Sequence, residues 1–523
     1  MLDLRALDKT SPLTPGDISG RQSGGTHMRI LLINANRFKH PWPVIPFGLM
    51  CVASVLERAG HAIRVLDLCF SRNCLRDLRT AIAEHQPELV GVSIRNIDNS
   101  AGYNTLFLLE QTRNEVIIPL KQLFPGPIVI GGPAVGISGA EILEFMDLPY
   151  AIRGDGELAM AELANLLAQG RDPLGLPGLV IRRGGQLLQD SPPSRVPDLN
   201  GLPTPNPGRY IDLKPYRAFN SPLQVQTKRG CALDCTYCTY NEIEGRRYRL
   251  RDPELVAREI HDLTAATGIE HVEFTDSTFN VPLKHCKEVL RALVRLGNMN
   301  LKMRTMGLNP GFVDEELVDL MQKAGFMEVD LGAEAGSEAM LRSLGKNFNK
   351  EDVLRAGRLL QEKNIPVTWY LLVGAPGETR ETLRETFDTV NKAASKWDLI
   401  NVGVGVRVYR GAPMARDMLA ENPHCTADNF LRPVHCKPGA LSLEQVKLLT
   451  KQEALKHPNY FMYDEDENTP ELVLRMGVAL LKLFAPNQPL FRLHILLRTI
   501  QKCLGIGLVK RKLFAWRYRA RLQ

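Results

Sequence analysis

The chain has 523 residues, of which 44% are hydrophobic and 24% are charged, and its formal net charge is +7. Two to four domains are expected, because this length exceeds what one compact core accommodates. The sequence contains no apolar run of about eighteen residues that could span a membrane, and its ten scattered cysteines do not form the framework of a secreted disulfide protein.

The first residues, 1–27, are rich in Gly, Ser, Thr, Pro and Asp and lack the apolar centre of a signal peptide. We expect a disordered leader there. The positive charge is concentrated at the other end, since residues 490–523 contain nine Lys or Arg and no acid.

From Met28 to residue 175 the chain predicts alternating strands and helices. The strands are expected over 29–34, 63–67, 89–94 and 128–130, and the helices over 48–59, 76–84 and 106–123. This order favours a Rossmann-like, flavodoxin-like parallel sheet with helices on both faces. Ligands of such sheets bind at the carboxyl ends of the strands, where Asn34, Ser93, Gly131 and Gly132 are small or polar. The prolines that crowd into 176–216 predict an ordered linker to the next domain.

Three cysteines, Cys231, Cys235 and Cys238, follow a predicted strand at the spacing C-x3-C-x2-C. Soft thiolates this close together suit an iron–sulfur cluster or zinc. A structural zinc ion needs four protein ligands, and no fourth Cys or His lies nearby in the sequence. A partial zinc site or three ordinary cysteines are the alternatives.

This loop, with the aromatic Tyr237 before its last cysteine, resembles that of the radical S-adenosylmethionine superfamily. The resemblance implies that Cys231, Cys235 and Cys238 ligate three irons of a [4Fe–4S] cluster. The fourth iron would bind the amino and carboxylate groups of S-adenosylmethionine, whose reductive cleavage gives a 5′-deoxyadenosyl radical. Tyr237 would lie against the same cofactor.

Six further strands separated by helices are predicted between 217 and 413, and they fit the partial (β/α)6 barrel of that superfamily. These strands are expected over 223–227, 271–275, 301–304, 328–332, 367–372 and 400–404. Catalytic groups are expected at the carboxyl ends of such strands.

Two residues at these strand ends match the superfamily by position. The segment Asp276-Ser277-Thr278-Phe279 resembles an Asp-x-x-Phe element and implies that Asp276 contacts the methionine ammonium group; a helix N-cap is the alternative. Arg304 ends the third strand and would reach the methionine carboxylate, unless it pairs with a structural acid.

Two glycine-containing turns complete the implied S-adenosylmethionine site. The segment 332–337 resembles Gly-x-Glu-Ser-Gly-Ser, with Ala335 in place of a serine, and places Glu334 and Ser337 on the cofactor. The segment 373–379 resembles the turn that packs against adenine, and contributes Gly374. No side chain is assigned as catalytic.

The first domain is similar to the cobalamin-binding domain found ahead of many radical enzymes. The similarity implies that Ser93, Gly131, Gly132 and the polar Asn34 line the corrin and its nucleotide tail, and that residues 153–157 form the turn that closes the domain. An Asp-x-His-x-x-Gly signature is absent, so the lower axial ligand of cobalt is not assigned. A flavodoxin-like scaffold without its ligand is the alternative.

Residues 414–523 are expected to form a C-terminal cap with a basic amphipathic tail. The tail, 490–523, predicts either contact with a membrane surface or a helix packed on the domain; nucleic acid is the least favoured partner. We expect a cytoplasmic protein that can dock peripherally at the inner face of the membrane.

The leading interpretation is a cobalamin-dependent radical S-adenosylmethionine methyltransferase that acts on an unactivated carbon of a small molecule or lipid and receives electrons from flavodoxin or ferredoxin. A radical cyclase or rearrangement enzyme of the tetrapyrrole or antibiotic type is the alternative among enzymes. A noncatalytic iron–sulfur or cobalamin sensor is the alternative outside them. A methylthiotransferase is disfavoured, because the first domain has no cysteine triad of its own.

Overall fold

The structure is a computed structural model and describes residues 27–39, 42–102, 105–297, 301–421, 430–462, 476–479 and 488–503. The predicted leader, except for His27, lies outside the described residues, and so does the tail beyond Cys503.

The N-terminal domain is built on a sheet of seven strands in the order β2-β1-β3-β4-β5-β6-β7. The first five strands of this order run parallel, whereas β6 and β7 form an antiparallel hairpin at one edge. The strands are β1 (Arg29–Asn34), β2 (Ala62–Asp67), β3 (Leu89–Ser93), β4 (Ile128–Gly131), β5 (Tyr150–Ile152), β6 (Leu179–Arg183) and β7 (Gln186–Asp190).

Helices cover both faces of this sheet. Successive residues of β1 alternate between two hydrophobic cores, with Leu31 and Ile33 in one core and Ile30 and Leu32 in the other. The helices are α1 (Phe47–Arg58), α2 (Cys74–His85), α3 (Leu108–Thr112), α4 (Ile118–Leu123), α5 (Pro133–Met146) and α6 (Gly156–Ala168), with a π-helical turn, Arg113–Ile117, joining α3 to α4. The predicted parallel sheet with two covered faces is confirmed.

The range 176–216, which we expected to be a linker, begins with the hairpin β6–β7 and therefore extends the sheet. Gly184 and Gly185 form the turn of this hairpin, and both have positive φ angles. Such a Gly-Gly turn between two short runs is the physical reason that the segment pairs with itself. The rest of the range holds the short helix α7 (Pro207–Tyr210) and the start of α8 (Lys214–Ala218).

The second domain is a wall of seven parallel strands that follow one another in chain order. The strands are β8 (Leu223–Val225), β11 (His271–Phe274), β12 (Lys302–Thr305), β13 (Val329–Glu334), β14 (Val367–Val373), β15 (Leu399–Val404) and β16 (Tyr460–Met462). Isolated bridges from Met303 to Phe326 and from Leu308 to Leu331 connect β12 to β13. The six predicted strands are confirmed, and β16 adds a seventh that was not expected.

The helices of the second domain are α9 (Tyr240–Ile243), α10 (Pro253–Thr267), α11 (Leu283–Leu296), α12 (Glu315–Ala324), α13 (Glu338–Ser343), α14 (Lys350–Glu362) and α15 (Arg380–Ala393). Apart from the short α9, which has no buried residue, these helices share one hydrophobic core with the strands. A small antiparallel pair, β9 (Lys228–Arg229) and β10 (Arg249–Leu250), closes the cysteine loop at its base.

The C-terminal region described by the structure is mainly helical. It contains α16 (Pro413–Glu421), α17 (Leu443–Ala454) and α18 (Leu490–Cys503). In the described part of the chain, no helix is both long and apolar enough to cross a membrane.

Candidate active site

The three cysteines lie on a loop that leaves β9 through Gly230. This glycine has φ +100°, and a Cβ there would lie 2.0 Å from the carbonyl oxygen of Arg247, so the position requires glycine. Backbone hydrogen bonds then fix the loop, from Cys231 N to Gly245 O at 2.9 Å and from Thr236 N to Leu344 O at 3.0 Å. The loop therefore has a defined shape at the carboxyl end of β8.

Cys231 is buried, and Cys235 and Cys238 are partly buried. Burial raises the pKa of Cys235 and raises that of Cys238 to about 12, and the charge of Cys231 contributes to both shifts. Within the described residues, no three His, Cys, Asp or Glu side chains converge as a single metal ion would require. Three neighbouring thiols without a fourth ligand fit a polynuclear iron–sulfur cluster, in which each thiolate binds a different iron, better than they fit zinc.

Tyr237 and Glu334, which were predicted separately, meet beside this loop. The Tyr237 hydroxyl donates to Glu334 Oε1 at 2.9 Å, and Lys346 Nζ donates to the same hydroxyl at 3.3 Å. Glu334 has φ +60° at the end of β13, a backbone conformation that is rare for a residue with a side chain. Such strain is typical of functional positions.

The other two residues that were predicted from glycine-containing turns, Ser337 and Gly374, follow neighbouring strands. Ser337 is fully buried and directly precedes α13. Gly374 has φ +87° after β14, and its N–H donates to Glu378 Oε2 at 3.1 Å. Their proposed contacts with S-adenosylmethionine stay predictions.

Asp276 forms a buried ion pair that the sequence did not reveal. Lys228 Nζ lies 2.9 Å from Asp276 Oδ2, and both side chains are almost fully buried. Thr227 donates to both carboxylate oxygens, through its N–H at 2.8 Å and its hydroxyl at 2.6 Å. Asp276 does not cap a helix, since the next one, α11, begins at Leu283. It anchors the strand that carries the cysteine loop, and the predicted ammonium contact remains untested.

Arg304 is surrounded by carboxylates. Its guanidinium lies 3.1 Å from Glu273, 2.8 Å from Glu328 and 2.9 Å from Asp330. The ring of Trp42, from the N-terminal domain, covers the guanidinium with its centroid 4.2 Å away. The alternative that Arg304 pairs with acids of the barrel matches this arrangement, and its contact with the methionine carboxylate stays a prediction.

The residues predicted to bind cobalamin lie side by side. Asn34 pairs in register with Ser93, and Ser93 with Gly131, so three neighbouring strands end at one edge. Gly132 has φ +101°, and a Cβ there would lie 2.6 Å from the Ile94 carbonyl oxygen. A Cβ on Gly131 would meet only one atom within 4 Å, the Ile152 carbonyl oxygen at 3.8 Å. The edge is therefore open to a bulky ligand.

An open pocket of about 290 Å³ adjoins this edge and is lined by residues that follow β1 and β3 and by residues of α3. Asn36 and Arg95 are two of its polar lining residues. The open edge and its small residues fit a large ligand bound at the carboxyl ends of the strands.

Two sets of buried ion pairs hold the domains together. Arg229, two residues before Cys231, lies 2.6 Å from Glu157 and 3.4 Å from Asp155 in the turn that closes the N-terminal domain. On the other side, Arg407 lies 2.9 Å from Asp98. Both pairs join residues far apart in the chain, so the sequence could not reveal them.

Comparisons with known proteins agree with this architecture. The family model "B12 binding domain" matches residues 36–164, and the model "Radical SAM superfamily" matches residues 225–390. Tryptophan 2-C-methyltransferase of Streptomyces laurentii is 27% identical over 502 residues, which cover 83% of this chain and 81% of that protein. The hopanoid C-3 methylase of Methylococcus capsulatus is 27% identical and covers 61% of each chain.

Solved structures show the same domain arrangement. The radical S-adenosylmethionine methyltransferase TsrM from Kitasatospora setae, with tryptophan and a cofactor analogue bound, superposes with a TM-score of 0.68 at 28% identity, covering 75% of this chain and 76% of that chain. A second structure of TsrM, with cobalamin and a [4Fe–4S] cluster, gives a TM-score of 0.77 at 23% identity and covers 91% and 99% of the two chains. The chain therefore combines a B12 binding domain with a radical S-adenosylmethionine domain behind it, in the same arrangement as TsrM.

Proposed function

We propose that this enzyme transfers a methyl group to a carbon atom of a small molecule or lipid. The observation that carries the proposal is the Arg229 contact with Asp155 and Glu157. It fixes the cysteine loop against the cobalamin domain, so the two predicted cofactor sites lie on either side of one junction. The relatives that are named methyltransferases support the same reaction class.

In this proposal, Cys231, Cys235 and Cys238 hold the [4Fe–4S] cluster, and Tyr237 and Glu334 lie against S-adenosylmethionine. Ser93 and Gly131 line the cobalamin. When bound, these groups supply the methyl group and the reducing equivalents, and flavodoxin or ferredoxin is the proposed electron donor. The protein orients the cofactors and keeps water out of the space between them.

The test is methyl transfer by the full-length enzyme, reconstituted anaerobically and supplied with S-adenosylmethionine carrying a trideuterated methyl group. Incubation with a small-molecule extract of the native host should yield a product that carries the labelled methyl group. The Cys235→Ser variant should yield none, because one cluster ligand is replaced. The matched control, Cys74→Ser, alters a cysteine in the N-terminal domain away from the loop and should retain labelling.

Other outcomes would favour the alternatives. Release of 5′-deoxyadenosine without any labelled product would favour a radical cyclase. Anaerobic magnesium-protoporphyrin IX monomethyl ester cyclase of Synechocystis is 26% identical over 357 residues, which cover 65% of this chain and 67% of that protein. A cluster that forms but never consumes S-adenosylmethionine would favour a sensor and contradict the proposal.

We also propose that residues 490–523 contact an anionic membrane surface. Helix α18 exposes Leu496, Leu497 and Ile500, with fractional exposures of 42%, 50% and 45%, and the segment contains nine Lys or Arg and no acid. This combination is typical of helices that lie at a lipid interface. The full-length protein should float with vesicles that contain phosphatidylserine, and a chain ending at Pro489 should not. Equal flotation of both would contradict membrane contact through this segment.

A further inference from the structure

A row of buried polar side chains crosses the inner wall of the barrel. Gln224 on β8, Glu273 on β11 and Arg304 on β12 are register partners, so they lie on the same face of three neighbouring strands. The opposite face of these strands, which includes Val272 and Met303, packs into the hydrophobic core with the helices. The row therefore faces the barrel interior, and we call Gln224, Glu273, Arg304 and Asp330 the interior polar row.

The charges of this row do not balance. Three carboxylates, those of Glu273, Glu328 and Asp330, lie within 3.1 Å of Arg304. Arg95, from the N-terminal domain, is a second cation whose charge lowers the pKa of Glu273. Three acids thus face two guanidinium groups, and a buried excess of negative charge is unfavourable unless a proton or another cation joins it.

The pKa values of the carboxyl groups agree with this excess. Burial raises the pKa of Glu273 and raises that of Asp330 to about 7, although Arg304 opposes both effects. These two groups therefore bind protons more readily than ordinary carboxyl groups when nothing else neutralises them.

A second observation points to a ligand. Gln224 is 5% exposed, and its amide oxygen has no hydrogen-bond partner among the described residues. Hydrogen bonding from the Gln224 amide lowers the pKa of Glu273, which places the two side chains side by side. Asn401, on β15, also has an unpaired buried oxygen. Buried polar groups are normally paired, so these amides are available to a bound molecule.

The row lies at the junction with the cobalamin domain. Trp42 covers Arg304 from that domain, and Arg95, which lines the pocket beside Ser93, acts on Glu273. A molecule held by the row would therefore lie between the two predicted cofactor sites. This is where a methyl acceptor must be.

We infer that the interior polar row binds a positively charged amino group of the substrate, so that the molecule whose carbon accepts the methyl group is an amine. Glu273 neutralises the ammonium group, and the Gln224 amide oxygen accepts one of its hydrogens. The role of this amine as methyl acceptor rests on the proposed function, whereas the binding itself does not. Arg304 is the positioning residue, since it holds Glu273 and Asp330 in place.

The test compares two probes of equal shape on the reconstituted full-length protein by isothermal titration calorimetry. Benzylamine is cationic at neutral pH and benzyl alcohol is not. We expect benzylamine to bind about tenfold more tightly than the alcohol, because a hydrogen bond to a charged group is stronger than a neutral one. Glu273→Gln should abolish this preference. The matched control, Glu270→Gln, alters an exposed acid just before the same strand and should preserve it.

A second variant separates binding from folding. Gln224→Leu removes an amide oxygen that has no partner in the described structure, so a purely structural role predicts no change in amine binding. We expect weaker benzylamine binding with an unchanged thermal unfolding midpoint and unchanged cobalamin content.

Three results would overturn the inference: equal affinity for the two probes, no binding of either, or an unaltered preference in Glu273→Gln. These binding measurements do not depend on catalysis. If methyl transfer fails, the proposed function is contradicted, but the binding results still stand. If a labelled product forms in a protein that does not bind benzylamine, only the inference is disproved.

Discussion

The two domains place their polar side chains in different parts of their sheets. In β1 of the N-terminal domain, the four residues from Ile30 to Ile33 are apolar and at most 1% exposed, and the polar residue Asn34 comes only at the end of the strand. In β11 and β12, by contrast, the charged Glu273 and Arg304 lie in mid-strand between buried neighbours. A sheet covered on both faces can bind a ligand only at its edge, whereas a barrel wall can also bind one inside.

The largest predicted loss of stability comes from replacing Arg304, the cation of the barrel interior. Arg304→Met leaves three buried carboxylates without their nearest counter-ion, and we expect it to lower the free energy of unfolding by about 3–5 kcal/mol near neutral pH. Burial already raises the pKa of Glu273 and Asp330, so the folded state binds protons more tightly than the unfolded chain. The loss should therefore shrink as the pH falls from about 8 to about 5.

Urea unfolding at both pH values measures this loss. The control is Lys302→Met on the same strand, whose partner Glu270 is largely exposed; we expect a change of at most about 1 kcal/mol. If Arg304→Met loses the same free energy of unfolding at both pH values, its effect does not come from the buried carboxylates.

A slightly smaller loss of stability is expected for a substitution in the apolar sheet of the N-terminal domain. Leu31→Ala opens a cavity in a strand residue that is fully buried, and should cost about 2–5 kcal/mol. No ionisable group is involved, so the loss should be the same at both pH values. Leu187→Ala, on the exposed edge strand β7, is the control and should change stability by about 0.5 kcal/mol or less. A clear pH dependence for Leu31→Ala would remove the contrast between the domains.

Substitutions at the boundary between the two domains should cost less stability. Tyr216, at the entrance to the barrel, donates to Asp67 at the end of β2 across 2.7 Å. Tyr216→Phe deletes this hydrogen bond to a carboxylate and should cost about 1–3 kcal/mol. Tyr210→Phe removes a similar bond to the half-exposed Glu57 and should cost less. If the two variants lose equal stability, burial at this boundary does not strengthen the bond.

The smallest effect is predicted for Gln224→Leu. Because the amide oxygen lacks a partner in the described structure, replacing the amide by an apolar side chain should leave the free energy of unfolding within about 1 kcal/mol of the original. Thermal unfolding of the protein without added probes measures this. A loss as large as that of Leu31→Ala would mean that the amide has a structural partner.

Much of the fold was predictable, because buried parallel strands have a strong sequence pattern. Asn34, Ser93 and Gly131 could be placed together from the rule that such strands end at one edge. The roles of Glu273 and Arg304 could not be predicted in this way. Alternation in a strand shows which residues share a face, but it does not show whether that face meets solvent or a barrel interior.

The ion pairs of the site were missed for another reason. Lys228 and Arg229 directly precede the cysteine loop, and a basic pair in that position is usually exposed. Their burial depends on Asp276 in one case and on Asp155 and Glu157 in the other. These partners become neighbours only when the two domains are folded against each other.

The Arg229 contacts also limit how the two domains can be exchanged between related proteins. The buried guanidinium takes both of its acidic partners, Asp155 and Glu157, from the N-terminal domain. A chimera that receives a B12 binding domain without these acids would keep an uncompensated charge two residues from Cys231. A working chimera must therefore inherit both acids or replace Arg229 at the same time, so the unit of exchange is larger than either domain.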